Sequence, residues 1–284
     1  MNLSRSHTRS HHILRGLRRV YSDLFQCSRL NQYADFLRFA HDLGYEGLTL
    51  HSFWELLHKN QLDSHRKYLV IRHDVDITSK SARRMWDTEV KLNTHSSYYF
   101  RLTTMDRLLA RELHASGCEA SYHYEELSTL IKVKGINNRQ GALKELDNAR
   151  AAFRQNLYEL RNTIGVPMRS VAAHGDFANR KLRICNTLIL QDSVLRMEAG
   201  IDVEAYDNWP SLEVRRHSDV TREYPRVWQE EGGPNVSFLK AVPVIHLLVH
   251  PEGWVRSITQ NVLDDVNRVR ESIKYTHAIR MRKA

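Results

Sequence analysis

The feature that most constrains this chain is an alternation, from about residue 30 onward, of short apolar runs with segments of helical periodicity. Tyr33, Phe36, Leu37, Ala40 and Leu43 recur at helical spacing, and Gly44 ends that helix. Leu48 to Leu50 follow as a short strand, and Phe53, Leu56 and Leu57 begin another helix. Tyr68-Leu69-Val70-Ile71 is a run of strand formers; Ala82, Met85, Trp86 and Val90 give a helical face, and Tyr98-Tyr99-Phe100 a strand. Leu108, Leu109 and Leu113 are helical up to Gly117, and Ala120-Ser121-Tyr122 is strand-like. The longest helix signal runs Leu143, Leu146, Phe153, Leu157, Leu160, Ile164 and stops at Gly165. Ser170 to Ala173 and Val242 to Val249 read as strands, and Ile258, Val262, Val266, Val269 and Ile273 as the apolar face of a last helix. Strands alternating with helices mean βαβ units and a parallel sheet. Residues 186–235 have no regular pattern and receive no elements.

Composition narrows the class. Apolar residues make up 42% of the 284 and charged residues 26%, which excludes wholesale disorder, collagen-like and coiled-coil chains. A single α/β barrel of roughly 250 residues fits that length, so the expected organisation is a basic tail over 1–25 and one domain over 26–284. The three cysteines, Cys27, Cys118 and Cys185, have no CxxC spacing, which argues against a disulfide framework or thiolate zinc site. No apolar run approaches the roughly 20 residues of a membrane span, and no secretory signal is visible, so the expected address is cytoplasmic. Arg5, Arg9, Arg15, Arg18 and Arg19 supply +5 of the net +9, so the basic character belongs to the tail. A solvated tail, an anionic contact and a transit peptide all fit it. No interleaving of aromatic and basic residues predicts a nucleic-acid groove.

In parallel α/β folds the chemistry sits at the carboxyl ends of the strands. Four strand ends here present His or Asp: Arg72-His73-Asp74-Val75-Asp76, His123-Tyr124-Glu125-Glu126, His174-Gly175-Asp176 and His250-Pro251-Glu252. Asp74 and Asp76, two apart, share a strand face, so one can bind a metal while the other takes a proton from water. The bland alternative is that Asp76 or Thr78 caps the next helix and Arg72 pairs locally with a carboxylate. His123 suits a borderline metal, with Glu125 on the same face. His246 and His250 lie about 13 Å apart in extended chain and cannot share an ion. Only His250 is a site candidate, and His246 is expected to be buried packing. His51, His58, His65, His95, His114 and His217 are expected at the surface or in caps. Met85, Trp86, Tyr98, Tyr99 and Phe100 are expected in the core. Asp192, Asp219 and Trp228, in the irregular region, are either loop residues or part of a pocket wall.

Together these residues resemble the polysaccharide deacetylase superfamily (NodB-homology, carbohydrate esterase family 4), in its divergent branch with an Arg-His-Asp-x-Asp first motif. The likeness spans roughly residues 30–275 and is carried by 71–76, Tyr98-Tyr99-Phe100-Arg101, 117–125, Ala173-His174-Gly175 and 247–252. It implies a distorted (β/α) barrel of about seven strands. It also implies one divalent ion, commonly zinc, that polarises an N-acetyl carbonyl. By the resemblance Asp74 is the general base, Asp76 and His123 are metal ligands, and His250 protonates the leaving amine. Arg72, Tyr99 and Arg101 would contact the substrate, with the oxyanion near the backbone of Tyr99 or Phe100. Two departures stand out. Leu127 occupies the place of the second histidine of the family's His-x-x-x-His, leaving Glu125 or His174 to complete the ligand set, and Ala172-Ala173-His174-Gly175 replaces an Arg-Pro-Pro motif. The expectation is therefore a hydrolase of a linear C–N bond acting on an N-acetylated sugar or glycan precursor. The alternatives are a non-catalytic saccharide-binding protein on the same scaffold and a binder of an anionic partner through the tail.

Overall fold

The computed structural model describes residues 27–209, 212–219, 228, 233–255 and 257–283, so the basic tail lies outside the described residues. Among the described residues eight strands form one sheet: β1 Tyr45–Leu48, β2 Lys67–Val75, β3 Ser97–Phe100, β4 Glu119–Tyr124, β5 Ser170–Ala173, β6 Val203–Glu204, β7 Val214–Ser218 and β8 Val244–Val249. Every pairing is parallel and the order is β6-β5-β4-β3-β2-β8-β7. β1 pairs with Lys67–Val70 and β3 with Arg72–Val75 along the same edge of β2, so eight strands fill seven lateral positions. The sheet curls into a half-barrel flanked by helices, the distorted (β/α) barrel of about seven strands that was expected.

Alternation along the strands divides two apolar clusters. Leu69, Ile71, Val75, Tyr98, Phe100, Tyr122, Val171, Ile245 and Leu247 face outward and pack on the helices. Tyr68, Val70, Tyr99, Ala172, Val203 and Val244 face inward, with Leu50, Phe53 and Trp209 closing that end. Towards the carboxyl ends the inward positions turn polar: Arg72, Asp74, His123 and His246, all buried. Tyr99 thus belongs to the inner face and not to the stripe of Met85, Tyr98 and Phe100. Its hydroxyl contacts Ser170 Oγ.

Behind β2 sits an ionic knot that has no sequence signature. Glu89, fully buried on the helix Ser79–Lys91, accepts from the Tyr33 hydroxyl (2.5 Å), Ser96 Oγ (2.5 Å) and the Tyr98 hydroxyl (2.7 Å), and meets His73 Nε2 at 2.6 Å. Burial opposes its ionisation, but His73 and the hydroxyl donors outweigh that and hold the carboxyl below its ordinary range. The knot fixes the β2 backbone on which Arg72 and Asp74 ride.

Some expectations shift. β8 begins at Val244 rather than Val242, and the long helix starts at Leu146 after a separate turn over Arg139–Leu143. The unassigned region 186–235 contains β6 and β7, the two ends of the strand order. β6 is only two residues long, and β7 is Val-Arg-Arg-His-Ser with no apolar run. His217 is buried on β7 with Nε2 2.8 Å from Ser237 Oγ, so it is neither a surface residue nor a cap.

Candidate active site

The strand ends meet at the mouth of the half-barrel. Asp76 follows β2, His123 lies on β4 and His174 follows β5, whose ladder continues through His174 N–H to Tyr124 O at 2.9 Å. Asp76 Oδ1 is 3.4 Å from His123 Nε2 and 3.6 Å from His174 Nε2. Both histidines are held from behind. His123 Nδ1 is 2.9 Å from Ala172 O, and His174 Nδ1 is 3.1 Å from Glu125 Oε2. Both Nε2 atoms face Asp76 Oδ1.

This arrangement fits a divalent ion. Asp76 Oδ1 is buried without a hydrogen-bond partner, an orphan that a cation relieves. Two imidazoles and a carboxylate are a donor set that zinc takes, and bonds of about 2.0–2.1 Å in a tetrahedron set donors about 3.3–3.4 Å apart, close to the two separations above. Asp76, His123 and His174 have ligand atoms within 4.8 Å of one another, as do Glu125, His174 and Asp176. In the second group the carboxylates are committed elsewhere. Glu125 receives a bidentate grip from Arg101 (2.9 and 3.0 Å), and Asp176 caps a helix and pairs with Lys132 at 2.7 Å.

Charge is distributed to keep the acids ionised. Burial pushes Asp74 up, but Arg72 grips both its oxygens at 2.7 Å, and with His123 and His250 it holds the carboxyl below its ordinary range. Asp76 is depressed further by His174 and His123 against its own burial, and Glu125 is lowered by His174 and Arg101. Burial disfavours the His123 cation, yet Asp74 and Asp76 raise it.

His250 closes the other side, one step beyond the last β2–β8 pair, His73 and Val249, and so beside Asp74. Asp219 organises it: Oδ1 is 2.6 Å from His250 Nδ1, and Oδ2 accepts from His250 N–H (2.8 Å) and Trp254 Nε1–H (2.9 Å). Burial works against the imidazolium, but Asp219, then Asp76 and Asp74, push it up to about 10.

The expected residues thus come together with changed surroundings. Leu127, which stands where a second histidine was sought, is fully buried in the helix–sheet core, and His174 arrives from β5 in its stead. Arg72, Tyr99 and Arg101, expected to meet substrate, have polar groups committed to Asp74, Ser170 and Glu125. Thr78 caps the next helix, and Arg72 does pair locally, so the bland reading holds for those two while Asp76 stays unpartnered at Oδ1. Asp219 lies beside the mouth, bonded to His250 and Trp254. Trp228 packs between Phe36 and Trp254, and Asp192 caps Ser193–Glu198. His246 is buried without a hydrogen-bond partner, as packing requires. Glu204 is a buried acid that sequence reasoning missed; it accepts from Ala173 N–H at 2.9 Å and Tyr206 N–H at 2.7 Å.

The class these features define is a parallel half-barrel with a two-histidine, one-aspartate cluster at its mouth and a His–Asp pair beside it. No family model and no curated protein matches the chain. Among solved structures, the chain is similar to a Streptococcus pyogenes deacetylase, PplD, in complex with acetate, at 11% identity and a TM-score of 0.45, over 83% of this chain and 85% of that one. At that distance the architecture stands on the chain's own strand order. No described helix is long and apolar enough to cross a membrane.

Proposed function

We propose that this protein is a metal-dependent hydrolase of a linear C–N bond that removes the acetyl group from an N-acetylated sugar or glycan precursor. The carrying observation is the convergence of His123 Nε2 and His174 Nε2 on the orphaned Asp76 Oδ1. Asp76, His123 and His174 would hold the ion, which supplies Lewis acidity and a lowered water pKa. Asp74, kept anionic by Arg72, accepts the proton of the attacking water. Its low proton affinity makes it a weak base, and the lowered water pKa that a bound ion would supply offsets that. His250 keeps its proton at neutral pH and gives it to the departing amine, and Asp219 stabilises the charge before transfer. Glu125 and Arg101 orient His174 without touching the reacting atoms. The binding-only alternative drew on Leu127; that motive falls away when His174 supplies the third donor.

The test is metal content by elemental mass spectrometry beside turnover of N-acetylated sugars. One divalent ion per chain is expected in the wild type, and loss of it in Asp76→Ala, His123→Ala and His174→Ala. Asp74→Asn should keep the ion and lose turnover. A wild type that takes up no ion after reconstitution sinks the reading.

A further inference from the structure

The sheet order runs from β6 to β7, and among the described residues those two end strands do not pair, so the half-barrel has a gap between them. Tyr206, two residues beyond β6, is 45% exposed and lays its ring 4.4 Å from the Arg72 guanidinium, the group that grips Asp74. The gap therefore adjoins the mouth. Arg216 comes from its other edge. Val214 packs on the inner apolar cluster, so Arg216, two residues further along β7, points inward too. It stands opposite His246 of β8. Its Nη2 donates to Asp207 O and its guanidinium lies 5.3 Å from the Trp209 ring, which ties β7 to the segment that follows β6.

The other arginines around the mouth have carboxylates of their own. Arg72 has Asp74, Arg101 has Glu125 and Arg196 has Asp207. Arg216 is half-buried and has no carboxylate within ion-pair distance among the described residues. A backbone carbonyl occupies only part of its five-donor fork. The acids nearby are committed elsewhere. Glu204 accepts from Ala173 N–H and Tyr206 N–H, and Asp207 accepts from Arg196 and from Glu204 N–H. Burial and then Arg72 weigh against the Arg216 cation, and Glu204, Asp207 and Tyr206 offset them only in part. A guanidinium so placed gains from an anion that arrives with a ligand, and its planar fork suits a carboxylate or a phosphate.

We propose that Arg216 is a specificity residue that binds a negatively charged substituent, a carboxylate or a phosphate, on the N-acetylated sugar, with the Tyr206 ring as the adjoining wall. The assignment rests on the hydrolase reading above and narrows its substrate to an acidic one. Arg72 does not serve in its place, because turning to a ligand would break both of its bonds to Asp74. The acetamide lies at the mouth and the charged end in the gap, so Arg216 touches no reacting atom.

Isothermal titration calorimetry of the full chain tests this with three probes: N-acetylglucosamine, its 1-phosphate and its 6-carboxylate. The wild type should bind a charged probe about tenfold or more tighter than the neutral one, the increment of a hydrogen bond between charged groups. Arg216→Gln should remove that preference, and Arg216→Lys should keep part of it. The charged probe that gains tells carboxylate recognition from phosphate recognition. Equal affinities in the wild type, or no binding of either charged probe, overturn the proposal. So does a preference that survives in Arg216→Gln, which assigns the anion to Arg72 or to a bound ion. Equal weakening of all three probes in Arg216→Gln makes Arg216 a strut across the gap and overturns it as well. Because the readout is binding, the two readings fail separately. A chain that takes up no ion sinks the hydrolase, whereas one that deacetylates sugars without a preference for charge sinks only the acidic substrate.

Discussion

Replacing Asp219 by Asn removes the negative charge and puts an amide NH2 where one carboxylate oxygen accepts, and both changes weaken the hold on the His250 proton. The imidazole is pushed from its ordinary 6.5 to about 10, and its side chain is 16% exposed, so solvent screens it only weakly. A raised histidine contributes stability that is fully present below the unfolded pKa and is lost as pH rises through the folded one. At 1.36 kcal/mol per unit the whole effect is about 5 kcal/mol, spread between pH 6.5 and 10, of which about 3 kcal/mol is gone by pH 9. Urea unfolding of both proteins at pH 6, 7.5 and 9, with chelator present, measures it. The wild type should lose more than Asp219→Asn across that range, by up to about 3 kcal/mol with Asp76 and Asp74 still raising the imidazole in the variant; shared titrations such as that of His123 cancel. If the two curves fall in parallel, Asp219 does not hold the proton and the His250 assignment fails. In the proposed reaction the same variant should lose about 10²-fold or more in kcat, with metal content unchanged.

Other outcomes follow from the same geometry. Glu89→Ala leaves His73 and three buried hydroxyls without their acceptor and should destabilise by about 3–5 kcal/mol in urea titrations. Burial, Arg72 and Arg216 hold His246 down to about 3, so it resists protonation in the fold. A depressed histidine costs stability as pH falls below 6.5, and His246→Leu should remove about 2 kcal/mol of the loss seen between pH 7 and pH 5. Leu127→His, which creates a His-x-x-x-His spacing with His123, should destabilise by about 2 kcal/mol or more without raising metal affinity, because that side chain points into the core. Glu125→Gln should retain the ion with an affinity about 10–100-fold weaker, read by competition with a chelator.

The barrel and most of its mouth are legible in the sequence because both rest on local chemistry. Apolar runs bounded by turn residues announce β2, β3, β4, β5 and β8, and parallel topology puts their carboxyl ends on one side. Asp74, Asp76, His123 and His250 follow from that rule alone. The sequence left Glu125 and His174 as equal candidates, since each ends a strand near His123. The tertiary structure tells them apart: His174 Nε2 lies 3.6 Å from Asp76 Oδ1, while Arg101 and His174 Nδ1 face the Glu125 carboxylate. β6 and β7 stayed hidden because a strand of two residues, or one with two arginines among five, carries no periodicity to read, and Asp219 in that region could be read only as a loop or pocket-wall residue. Glu89 was silent for a related reason, since a buried acid on a helix looks like any surface acid until four partners surround it. The last helix shows the same limit from the other side. Its apolar stripe was plain in the sequence, but periodicity records only that a face is apolar. What that face meets depends on tertiary packing, and the barrel took the face bearing Asn261 and Tyr275 instead.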